Sequence, residues 1–263
     1  MVRGPSCLVL GMLVWLAMGT PVLAGAWLRD KGAGFLSFGA TLRPSRIVPN
    51  NEQKIYLEYG LTDWWTMGVD VNETPTVTGH ALIFARLPLG RKDAAIRQAI
   101  EVGLGGHHWG PDWWGFYKVG YGAGQGFTNR WGNAWWAVDA SYDRRLGNPE
   151  PLWKLDIALG QSSGMKLRPL LKLETGYIPD EGTGGSFVPS LMIRGFRKET
   201  WVLGVEFRHF GGESSVGLRV DIWQDLGKGT LGQRLSGRLP PERRSRSPGV
   251  RPRVQELAAA ERR

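Results

Sequence analysis

The chain has 263 residues, a formal net charge of +9, 38 glycines, 13 tryptophans and one cysteine. Glycine is about twice its usual share of roughly 7%, and past the first residues no apolar run reaches the roughly 20 residues of a spanning helix, which excludes a helical membrane protein. The charge belongs to the C-terminus: ten basic and three acidic residues lie between Gly227 and Arg263, +7 of the +9, so the remainder is nearly neutral and not suited to nucleic acid.

Residues 1–26 read as a secretory signal peptide, with Arg3 at a basic start, an apolar run from Cys7 to Met18, and cleavage after Ala24 or Ala26. Cys7 leaves with it. The mature chain then holds no thiol, which excludes a disulfide framework and a cysteine nucleophile.

From Ala33 to Trp223 the sequence alternates apolar and polar residues in segments about ten residues long, the period of a strand. Twelve are expected: 34–43, 53–61, 64–72, 79–88, 97–107, 114–125, 132–142, 152–161, 165–178, 187–196, 199–210 and 214–223. Each is near the roughly 9–11 residues of a tilted strand crossing a bilayer, and an even number suits a closed antiparallel barrel. Connections after even strands, such as 162–165 and 197–200, look short. Several after odd strands look longer, including "PSRIVPNNE", "HHWGPDWW", "RRLGNPEP" and "PDEGTGGS".

The two faces of each segment decide what surrounds the barrel. In "WKLDIALG", Trp153, Leu155, Ile157 and Leu159 oppose Lys154, Asp156, Ala158 and Gly160. A soluble barrel would turn the apolar face inward, whereas a membrane barrel turns it to lipid and encloses the charges. The charges expected in the lumen are Arg43, Lys54, Glu58, Asp70, Glu101, Lys118, Asp139, Lys154, Asp156, Lys172, Glu174, Arg194, Glu206, Arg208, Arg219 and Asp221. Tryptophan prefers the headgroup level, so Trp64, Trp65, Trp131, Trp201 and Trp223 at one end and Trp109, Trp113, Trp114 and Trp153 at the other are expected to form two interface girdles.

"YGLTDWWTMGVD" (59–70), "GAGFLSFGATLR" (32–43) and the closing "SVGLRVDIWQDL" (215–226) resemble small outer-membrane β-barrels of Gram-negative bacteria. The chain looks most like the transporter-like group that includes phenol-degradation-pathway outer-membrane proteins. The resemblance covers Gly34 to Leu226 and implies an all-β antiparallel transmembrane barrel in the outer membrane, with lipid and the barrel-assembly machinery as partners. Such barrels usually end on an aromatic residue that the machinery reads, whereas here a 37-residue tail follows.

The expected domains are a signal peptide (1–26), a barrel (27–226) and a disordered basic tail (227–263), the tail lacking the apolar content to fold. Function is expected to be channel or transporter-like for small solutes; the alternatives are a closed structural or surface-interaction barrel and a membrane-embedded lipid hydrolase. Interleaved acids and bases would either pair into a plug or line a thin water path. No serine motif accompanies His80, His107, His108 or His209, so no catalytic residue is assigned. No cofactor is expected. Asp112 beside His107 and His108 suggests a metal only if a loop bends the two histidines to one side, and no metal ligand is assigned. Gly120, Gly122, Gly124 and Gly126 recur every second residue on one strand face, which suits a bending wall rather than a phosphate loop.

Overall fold

The computed structural model describes residues 27–44, 51–91, 93–148, 150–162, 166–196 and 199–227. The expected signal peptide and nearly all of the tail lie outside the described residues.

Twelve strands form one closed antiparallel barrel: β1 (Gly34–Leu42), β2 (Glu52–Gly60), β3 (Thr66–Thr74), β4 (Thr78–Leu89), β5 (Arg97–Trp109), β6 (Asp112–Asn129), β7 (Gly132–Arg145), β8 (Leu152–Gln161), β9 (Leu167–Ile178), β10 (Gly182–Arg194), β11 (Thr200–Phe210) and β12 (Glu213–Leu226). Each strand pairs with its sequence neighbours, and β12 returns to β1 with Gly34 opposite Leu226. Closure leaves no strand with unpaired backbone groups along an edge. Among the described residues there is no helix.

The alternation turns the charged face inward. On β8, Trp153, Leu155, Ile157 and Leu159 are exposed, whereas Lys154, Asp156, Ala158 and Gly160 are more protected. Around the wall, Ile83, Leu104, Val119, Phe187, Leu203 and Leu218 continue an exposed apolar belt, far more than a water-facing sheet shows.

The connections depart in part from the expected asymmetry: the gaps between strands at 43–51 and 146–151 are long as expected, whereas others are not. "HHWGPDWW" is not an open loop: β5 and β6 stay paired up to Trp109 and Asp112, leaving two residues to turn. Gly110 takes φ 60°, the left-handed conformation such a turn needs, and its amide bonds to the Val77 carbonyl at 2.8 Å. Likewise β10 begins at Gly182 and β11–β12 turn through Gly211 and Gly212. Pairing continues as long as opposing backbone groups can meet, and glycine-rich sequence permits this where composition alone suggests a loop. The two ends of the barrel are termed the terminus side, near Gly34 and Leu226, and the loop side, near Gly110 and Gly211.

The segment before β1 folds back into the barrel. Its backbone bonds to β2 (Gly32 N to Gly60 O, 2.8 Å; Gly60 N to Ala33 O, 2.9 Å), and the Arg29 amide donates to Thr66 Oγ1 at 2.8 Å. Gly60 permits this crossing, since a Cβ there would collide with the Arg29 and Asp30 carbonyls.

Candidate functional site

The inner wall carries three ion-pair groups, which join, across the lumen, strands that are mostly not direct neighbours. On the loop side, Arg43 meets Glu206 at 2.5 Å and Glu52 at 2.7 Å, and Glu52 also meets Lys54 at 2.9 Å. Midway, Arg219 meets Glu174 at 2.8 Å and Asp221 at 3.6 Å, and Asp221 also faces Lys172 at 3.7 Å. Toward the terminus side, Arg86 bridges Glu58 and Glu101, both at 2.5 Å, while Arg29 reaches Glu58 at 2.6 Å and Lys118 reaches Glu101 at 2.9 Å. The Tyr56 hydroxyl donates to Glu58 at 2.6 Å and accepts from Arg86 at 2.9 Å. Burying so many charges is tolerable only when each finds a partner.

Two cavities lie among these groups. One of about 290 Å³ is lined by Tyr56, Asp70, Lys118, Asp139 and Trp223 among others, and one of about 230 Å³ lies toward the loop side by Arg43, Glu206, Arg208 and Phe210. Lys54, Lys154 and Asp156 line both. On the β6 side the larger cavity is lined by Gly120 and Gly122 together with Lys118 and Tyr121.

The terminus side is filled by apolar residues. Trp27, Trp135, Ala137, Leu170, Met192 and Val202 form a buried cluster, with Ala158 and Trp223 packed against it. Trp27 enters from the segment before β1 and occupies the space above Gly124, where a Cβ would lie 2.5 Å from its ring. In this plug Trp27 alone comes from outside the strands; the others are inward-facing positions of the wall.

Of the charges expected to line the lumen, Arg43, Lys54, Glu58, Glu101, Lys118, Lys172, Glu174, Glu206, Arg219 and Asp221 sit in the ion-pair groups, and Asp70 lies 3.7 Å from His80. Asp139, Lys154 and Asp156 line the larger cavity, and Arg208 stacks over Phe210 beside the smaller. Arg194 does not reach the lumen interior: it ends β10 at the terminus rim and is exposed. Sequence reading missed Arg29 and Arg86. Arg86 follows Leu82 and Phe84 on the inward face of β4, so both faces of that strand look apolar and the parity signal is lost.

Of the nine tryptophans expected at the interface, Trp64, Trp65, Trp131 and Trp201 are exposed on the terminus side, and Trp109, Trp113 and Trp153 on the loop side. Trp223 is not one of them. It follows Arg219 and Asp221 at two-residue spacing, so it shares their inward face, packs on the plug and lies 5.2 Å from Lys172 Nζ. Trp114 also turns inward with Phe116, stacking on His107 at 5.6 Å between ring centroids, although part of it remains exposed at the mouth.

The histidines are dispersed. His107 and His108 lie on opposite faces of β5: His107 Nε2 bonds to the Leu146 carbonyl, and His108 Nε2 lies 2.9 Å from Glu73 across Gly79. Among the described residues no group of three or more histidine, cysteine or acidic side chains is placed to hold a metal. His209 has a single serine beside it: Nδ1 lies 2.9 Å from Ser214 Oγ, its cross-strand partner on the outer wall. Among the described residues no carboxylate accepts a hydrogen bond from His209.

No family model and no curated protein matches the chain. Among solved structures, the barrel is similar to the KdgM porin, with 10% identity and TM-score 0.52 over 73% of this chain and 99% of that one. It is equally similar to the NanC porin, with 10% identity and TM-score 0.52 over 71% of this chain and 98% of that one. KdgM in complex with disordered oligogalacturonate aligns at 8% identity, TM-score 0.52, over 73% and 99%. At such identities the likeness concerns the fold of these outer-membrane barrels.

Proposed function

We propose that the chain is an outer-membrane barrel that admits small polar solutes from its loop side, a channel or transporter-like protein. The observation that carries this reading is a charged lumen with two adjoining cavities, of about 290 and 230 Å³, inside a wall whose outer belt is apolar. Outer-membrane lipid is then the partner of the belt, and the barrel-assembly machinery acts on the closing strand. The lumen charges nearly balance, so size and polarity rather than one sign of charge govern entry. Oligogalacturonate, seen with KdgM, is an acidic example of such a solute class. The phenol-degradation group remains the finer kinship proposed from sequence.

The apolar plug gives specific weight to a second reading, a closed barrel with no transport. An apolar constriction excludes water and ions until it moves or is trimmed. Planar-bilayer recordings separate the two. On the channel reading, the intact protein gives small or infrequent steps, and the Trp27→Ala, Trp223→Ala double variant gives larger, longer ones. A correctly folded double variant that shows no steps would establish the closed barrel.

A further inference from the structure

Most charges lining the lumen are held in the three ion-pair groups, but Asp139, Asp156 and Lys154 are not. Among the described residues, no ion pair or side-chain hydrogen bond reaches any of these three, though all line the larger cavity. Asp139 and Asp156 are direct cross-strand partners on β7 and β8, so two carboxylates of like charge stand side by side. Asp156 Oδ1 is buried with no hydrogen-bond partner. Lys154 sits two residues along β8 on the same inward face, opposite Ser141 of β7. Opposite charges thus face one space without joining each other. Elsewhere in this lumen comparable neighbours close to within 2.5–3.7 Å.

Neither sign alone satisfies this arrangement. A cation would serve the two aspartates and leave the ammonium bare, an anion would do the reverse, and a neutral polyol would leave both charges without a counter-charge. On the neighbouring strand β6, Gly120 and Gly122 line the cavity, with Gly122 the register partner of Asp139, so the position beside that carboxylate carries no side chain, and Lys118 of the same strand is held by Glu101 at 2.9 Å.

We infer that the larger cavity is a binding site for a small zwitterion of the amino-acid class. Its ammonium group lies between Asp139 and Asp156 and its carboxylate on Lys154. The inference rests on the channel reading only in that the ligand enters from the loop side; binding does not require passage through the plug.

The test is calorimetric titration of the refolded full-length protein with glycine and alanine, alongside methylammonium, acetate and glycerol as probes of each part. The expected result is that the zwitterions bind at least tenfold more tightly than each probe, a difference of about 1.4 kcal/mol. The Asp139→Asn, Asp156→Asn double variant and Lys154→Gln should each weaken zwitterion binding tenfold or more. Because the probe comparison is made on the unaltered protein, it stands even if a variant misfolds. Methylammonium or acetate binding as tightly as glycine overturns the assignment, as does undiminished glycine binding in both folded variants. Glycine binding without conductance would remove the channel and keep the site, whereas conductance without zwitterion preference would remove the site and keep the channel.

Discussion

Replacing Glu58 with alanine tests whether the lumen network holds the barrel together or merely decorates it. Glu58 is 1% exposed and accepts from Arg86 at 2.5 Å, from Arg29 at 2.6 Å and from Tyr56 at 2.6 Å. One unit-charge contact at about 4 Å between charge centres, in an effective dielectric of about 20, is worth roughly 4 kcal/mol. Removing one partner of a buried pair costs roughly 3–5 kcal/mol, because a charge is left without compensation. Arg86 keeps Glu101 and Arg29 keeps Asp225 at 3.6 Å, so the loss should not exceed that range although three contacts vanish. The expected destabilisation of Glu58→Ala is therefore about 3–5 kcal/mol. Urea unfolding in lipid vesicles, followed by tryptophan emission, measures it. A loss within about 1 kcal/mol, the level of an exposed pair, would mean that water enters this part of the lumen freely and that the network is solvated.

On the outer wall, Leu155→Arg or Leu171→Arg should cost roughly 2–4 kcal/mol in bilayers, against little for Arg208→Lys inside; equal tolerance in the same unfolding assay would contradict a lipid-facing belt. Neutralising Lys172 or Arg208 should shift reversal potentials toward cation selectivity, since fixed positive charge in a narrow lumen repels cations. Conductance indifferent to both would place the path elsewhere. Ending the chain after Gly227 should leave the heat-resistant electrophoretic migration unchanged, because β12 completes its pairing with β1 at Leu226; a truncated protein that no longer migrates as a folded barrel would give the tail a structural role.

Period-two alternation is a local signal, and where one face is apolar and the other charged it located strands closely, as on β8 at 152–161. It also contained the answer for Trp223, whose spacing from Asp221 sets its face; the appeal of tryptophan at strand ends obscured it. Hairpin tips were less legible, because glycine marks both open loops and tight turns, and only pairing geometry distinguishes them at Gly110. The plug was not legible at all. Trp27 belongs to no strand, and its place above Gly124 follows from the barrel closing around it. That Lys154, Asp139 and Asp156 share no ion pair is likewise a matter of what pairs with what, which no linear spacing reveals.

The brevity of the loop-side turns has a bearing on recognition by other molecules. A stable protein contact needs about 800 Å² from each partner, and tips of two residues at Gly110–Pro111 and Gly211–Gly212 supply a small fraction of that. If the loop side faces outward from the cell, antibodies or phage fibres find little area on these tips. Hairpins that close so tightly leave such agents little to grip.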